Sequence, residues 1–189
     1  MSRSSQARAT LDDLYQTTAK AELIGGRIVE FMPTGYKPNK VAANIHDSLR
    51  AYCKQKRRGE ALTDNMGYAV PELASGRESF SPDASYYAGP LPANLMRFIE
   101  GPPTLAVEVC SENDYGDAAE EEMSAKRADY FEAGTLVVWD VDSLAELVHV
   151  YRADDPDQPA TFQRGQAADG EPAVPGWKMA VEDVFSLTS

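Results

Sequence analysis

The sequence predicts an α/β (α+β) protein in which a mixed β-sheet core is flanked by helices. Three observations carry this expectation. Helical periodicity is strong over 38–58 and 117–133, apolar strand-like runs occupy 104–110 and 136–141, and a glycine-centred hairpin precedes them all. The order helix, hairpin, helix, strands, helix, strand, strand is that of a mixed sheet with helices packed on it.

Taken in order, residues 1–9 are polar and read as a disordered lead-in, leaving 10–189 as a single domain. Leu11 to Ala19 can form a short helix, with Leu11, Leu14 and Tyr15 on one face and Thr10 as N-cap. Glu22 to Val29 reads as two strands about Gly25-Gly26. Pro38 opens a long helix carrying Val41, Ile45, Leu49 and Tyr52 on one stripe, and Gly59 ends it. Residues 60–88 read as strands with turns at 65–67 and 75–76, the last strand being Asp83 to Tyr87. A proline-punctuated connection, with a short helix near 95–99, leads to the buried strand Thr104 to Cys110. Asp117 and Glu120 suggest a capping box for a helix ending at Gly134. Strands at 136–141 and 146–151, an edge segment at 160–164 and a short element at 181–185 complete the chain.

With 189 residues, 43% hydrophobic and 25% charged, the chain has enough apolar mass to fold without disulfides or structural metal. Cys53 and Cys110 form no CxxC pair and only two histidines are present, which argues against zinc clusters. No apolar run reaches the roughly 18 residues of a membrane helix, and no secretory leader precedes the domain, so a cytoplasmic protein is expected. The net charge of −12 argues against a polybasic nucleic-acid binder. That charge is uneven. Residues 37–58 hold seven Lys/Arg against Asp47 alone, a local +6 that leaves −18 on the remainder.

Side chains alternate across a strand, so Leu105, Val107 and Val109 face one side while Ala106, Glu108 and Cys110 face the other. A carboxylate inside such a run must be protonated, paired or metal-bound, and an internal salt bridge is as good an explanation as a functional site. Asp83, after Pro82, is ordinary turn chemistry on its own. Beside Glu108 it becomes one of two mutually repelling acids that call for a proton or a divalent cation between them. Lys126 shares a helical stripe with Met123 and Tyr130. It is either a lysine snorkelling at the rim or an ammonium directed at the two acids. An Asp83/Glu108 glycosidase pair would need an aromatic cleft that nothing in the spacing demands. The acids at 112–122 lack the spacing of a calcium loop and read as capping and surface charge.

The ordered segments 22–29, Pro82-Asp83, 103–111, 126–134 and 138–142, with Pro175-Gly176-Trp177 and Val184-Phe185 near the end, resemble the Uma-two family of restriction endonucleases, within the PD…(D/E)xK nuclease superfamily. The resemblance implies a restriction-endonuclease-like core and Mg²⁺-dependent cleavage of nucleic acid, with DNA the expected substrate and Mn²⁺ an alternative cation. It implies that Asp83 and Glu108 hold the metal with the backbone carbonyl of Val109, that Glu22 adds a carboxylate, and that Lys126 takes the lysine role. The superfamily's usual lysine stands two residues after the second acid, where this chain has Cys110. Hard oxygen ligands suit Mg²⁺ or Mn²⁺. On the basic helix, Arg50, Lys54, Arg57 and Arg58 are the expected phosphate contacts, although cations also suit a solvated helix C-terminus. A homodimer is expected. The alternative is a nuclease-fold protein with little or no catalysis, acting as a binding or homodimeric module.

Overall fold

The computed structural model describes residues 7–188. Of the lead-in expected at 1–9, residues 1–6 lie outside that range. Arg8 and Ala9 are tied to the body, Arg8 to Glu72 at 2.7 Å and the Ala9 N–H to the Gly26 carbonyl at 2.9 Å.

Helix α1 (Leu11–Leu14) is a single turn, closed by a capping box between Thr10 and Asp13. The hairpin β1 (Ala21–Ile24) and β2 (Arg27–Glu30) turns at Gly25 and Gly26, both with positive φ, as a two-residue loop of this twist requires. Helix α2 (Tyr36–Lys56) starts two residues before the expected Pro38 and ends at Arg57 in the left-handed region. Strands β3 (Glu60–Thr63), β4 (Tyr68–Ala69), β5 (Ser79–Phe80), β6 (Ala84–Tyr87), β7 (Ile99–Glu100) and β8 (Leu105–Val109) follow. Helix α3 (Asp117–Ala133) leads to β9 (Val137–Asp142), β10 (Leu147–Arg152), β11 (Asp155–Phe162), β12 (Ala167–Asp169), β13 (Lys178–Ala180) and α4 (Val181–Val184).

The main sheet has six strands in the order β11-β10-β9-β8-β6-β3. Its β8–β9 pair is parallel, joined through α3, and its other pairs are antiparallel. This is the mixed sheet that the element order predicts. The alternation along β8 holds. Leu105, Val107 and Val109 join Val41, Ile45 and Leu49 of α2 and the stacked Trp139 and Trp177 on one face. Ala106 joins Tyr130 of α3, Phe80 and Tyr68 on the other.

Several local expectations fail for identifiable reasons. The first helix stops at Leu14, short of Ala19. No helix forms at 95–99; Ile99 pairs in parallel with Tyr68, and Leu95 and Met96 stay exposed. Asp117 is the first residue of α3 behind Gly116, so it cannot cap the helix, and Glu120 pairs with Arg127 at 2.6 Å. Strand β11 begins five residues before the expected Ala160, because an edge strand tolerates Pro156 and Pro159 at positions that need not donate. The β12–β13 hairpin is too short to show a period.

The fully buried Ile45 ties α2 to the sheet. Ile45→Ala is expected to destabilise the fold by about 3 kcal/mol, read as a lower urea midpoint with an unchanged slope.

Candidate active site: a lysine-bridged carboxylate cluster

The cluster lies at the β1 side of the sheet, where the hairpin, β6, β8 and α3 meet. Strand β1 and the turn after it dock on residues 76–79, at the start of β5, through three hydrogen bonds. The Gly25 N–H donates to the Gly76 carbonyl (2.7 Å), the Glu78 N–H to the Leu23 carbonyl (2.8 Å), and the Leu23 N–H to Ser79 Oγ (2.7 Å). This docking carries Glu22 into the interior, where it is fully buried. Alternation on β8 turns Glu108 to the same side, and the helical period of α3 presents Lys126, Asp129 and Tyr130 together.

Lys126 Nζ stands 2.8 Å from Glu108 Oε1 and 3.2 Å from Glu22 Oε1. Tyr130 donates its hydroxyl to Glu108 Oε1 at 2.6 Å. Both oxygens of Glu22 are engaged. Oε2 accepts from Arg77 Nη1, while Oε1 accepts from the Ser81 N–H at 2.9 Å and faces Lys126. Arg77 is held in turn by Asp129, whose Oδ2 accepts from Nε at 2.8 Å. Asp83, just ahead of β6, accepts the Val109 N–H on Oδ2 at 2.8 Å and meets Lys20 Nζ on Oδ1 at 2.8 Å. Lys20 also reaches Asp64 Oδ1 at 2.5 Å.

The charges follow from this packing. Burial and then the neighbouring charges of Asp83 and Glu22 push the Glu108 carboxyl up, against the pull of Lys126. Burial works the other way on Lys126, but Glu108 and Glu22 outweigh it, so the ammonium keeps its proton. Burial would also raise Glu22; Lys126, Arg77 and the Ser81 N–H outweigh it and hold that carboxyl below its ordinary value. A lysine this firmly protonated cannot accept a proton. It can only donate, and two of the groups it faces are the carboxylates of Glu108 and Glu22.

Five carboxylates (Glu22, Asp64, Asp83, Glu108, Asp129) face three cations (Lys20, Arg77, Lys126), leaving two negative charges unmatched. An all-oxygen donor set with that surplus fits a hard divalent ion in its chemistry. Among the described residues, no three acidic, histidine or cysteine side chains are gathered closely enough to enclose one. Ammonium groups occupy the gaps. The carboxylates of Asp83 and Glu108 could hold such an ion once Lys20 gives way.

Asp83, Glu108, Glu22, Val109 and Lys126 therefore come together, with Val109 meeting Asp83 through its N–H. Arg50, Lys54, Arg57 and Arg58 do not join them. They line a groove of about 380 Å³ at the end of α2, beside Gly59 and Glu60. Helix α2 packs on the sheet face opposite Glu108, and Glu60 pairs with Tyr87, the far end of β6 from Asp83. Cys110 contributes no cation. Its thiol lies 3.6 Å from Asp140 Oδ1, and burial and that carboxylate push it well up. Sequence reasoning missed Lys20, Asp64, Arg77, Asp129 and Tyr130 as members of the cluster. Lys20 had a signal, since it stands two residues before Glu22 on the same side of the strand. Arg77 had none, being placed by the loop that receives β1.

Because Glu22 is depressed in the folded chain, its contribution is complete above the unfolded value near 4.5 and is lost as pH falls through the lower folded value. Glu22→Gln is expected to destabilise the protein by about 3 kcal/mol at pH 7. The gap between variant and wild type narrows below pH 4.5, measured by urea unfolding across that range.

Comparison with known proteins bears on the fold and the family. A solved structure, described as a "putative nuclease belonging to DUF820" from Anabaena variabilis ATCC 29413, is 20% identical and superposes with a TM-score of 0.71. The alignment covers 93% of this chain and 97% of that one, which shows a shared fold. No curated protein matches the chain. No helix among the described residues is long and apolar enough to cross a membrane. The model of the family Uma2, described as "Putative restriction endonuclease", matches residues 8–182. That span includes the whole sheet and every residue of the cluster, and the chain belongs to the Uma2 family.

Proposed function

We propose that the protein is a divalent-metal-dependent nuclease, with DNA as its substrate, and that Asp83, Glu108 and Lys126 form its catalytic centre. The observation that carries this reading is the ammonium of Lys126 seated 2.8 Å from Glu108, in the same cluster as Asp83. Phosphodiester cleavage needs an oriented water and a cationic environment for a charge-rich transition state. Lys126, pinned by Glu22 and Glu108, offers its remaining N–H to that water or to a phosphoryl oxygen. Tyr130 and Lys126 both engage Glu108 Oε1, so Oε2 is the oxygen this reading assigns to the metal. Glu22 has no free oxygen, so its task is to seat Lys126 and not to bind metal.

Asp83 and Glu108, with the Val109 carbonyl as a further oxygen, would hold Mg²⁺ or Mn²⁺, which would supply charge neutralisation at the scissile phosphate. The groove of Arg50, Lys54, Arg57 and Arg58 lies at the end of α2, which packs on the sheet face opposite Glu108. It suits backbone phosphates elsewhere on a nucleic acid, where it adds affinity without acting in the chemistry.

Plasmid cleavage in Mg²⁺ or Mn²⁺ tests the assignment. Asp83→Ala, Glu108→Ala and Lys126→Met are each expected to lose at least about a hundredfold in rate. Cleavage that is absent in the wild type, or equal in all four proteins, would overturn it.

A further inference from the structure

Lys20 has no task in the reading above, although it holds two carboxylates at once. Its Nζ lies 2.8 Å from Asp83 Oδ1 and 2.5 Å from Asp64 Oδ1. Its backbone is fixed, since the Lys20 carbonyl accepts the Phe31 N–H at 2.9 Å beside the hairpin. Asp83 is held from behind by the Val109 N–H, so Oδ1 is the oxygen left to face an incoming cation, and Lys20 is on it. Asp64 differs in standing. It follows β3 at the rim of the cluster, accepts the Asn65 N–H at 2.8 Å, and its side chain is 43% exposed against 23% for Asp83.

A lysine is a compact point charge on a flexible four-carbon stem, and it can give up one partner while keeping the other. Asp83 and Asp64 thus form an inner and an outer anchor for one ammonium. We propose that Lys20 is a positioning residue that competes with a divalent ion for Asp83 and withdraws to Asp64 when the ion binds. Metal affinity is then set by competition between Lys20 and the ion for Asp83. Lys20 prevents two repelling carboxylates from standing unpaired, and Asp64 keeps the displaced ammonium at the rim. The inference rests on the metal-dependent reading of the same site.

Two substitutions separate it from a merely structural ion pair. Calorimetric titration of the full chain with Mn²⁺ alone is expected to show at least about tenfold tighter binding in Lys20→Met, because the competitor is gone. Asp64→Asn is expected to bind several-fold more weakly, because the displaced ammonium has lost its outer anchor. A structural pair would weaken binding in Lys20→Met through a loosened Asp83 and leave the exposed Asp64 silent. Thermal unfolding of each variant checks that it is folded, and Asp64→Asn decides alone if Lys20→Met is not. Binding in the wild type that Lys20→Met fails to tighten, or that Asp64→Asn fails to weaken, overturns the role of Lys20 alone. Binding seen only in Lys20→Met supports it. Binding absent from wild type and Lys20→Met alike overturns the metal reading and this inference with it.

Discussion

Two carboxylates buried side by side need a cation between them, and in this chain the ammonium of Lys126 fills that place between Glu22 and Glu108. The three residues come from a hairpin, a central strand and a helix, so one contact ties three elements distant in sequence. Arg77 and Asp129 extend the pairing outward, and Tyr130 fastens the strand-borne acid to the helix. Each member is expensive to bury alone and acceptable only with its partners. The geometry of Glu108 and Lys126 is thereby fixed before any ligand arrives, which is the preorganisation that charge-stabilising chemistry requires.

Where the resemblance would place a lysine this chain has Cys110. Its thiol lies beside the Arg127–Asp140 pair, which joins α3 to β9 at 2.5 Å. In the proposed reading the cation comes from the helix instead, where Lys126 reaches back over the strand to Glu108. Lys20 adds a second ammonium on the opposite flank, at Asp83. Two of the chain's twelve surplus negative charges lie at this cluster, on the residues proposed to face a divalent ion.

Glu108 could be found in the sequence because a charged residue interrupts an apolar alternation, and alternation dictates its face. Lys126 could be found because its stripe also carries Tyr130, a residue that must be buried. Asp83 is ordinary turn chemistry until the resemblance and the neighbouring strand give it a partner. Arg77 was not legible. Its place depends on hairpin β1–β2 docking on a loop fifty residues later, a contact that no local pattern encodes. The basic segment shows its charge plainly in the sequence but not its side of the sheet, and α2 packs opposite Glu108. Short strands such as β12 and β13 carry too few residues to display a period, and β11 hides behind two prolines that only an edge position tolerates.

In this site Glu22 is proposed to act on the chemistry only through Lys126. A double-mutant cycle on the metal-dependent cleavage rate, using Glu22→Gln and Lys126→Met singly and together, tests it most directly. Non-additivity is the predicted result: Glu22→Gln slows the otherwise wild-type protein but adds nothing once Lys126 is methionine. Two full, independent losses that multiply in the double variant would contradict it.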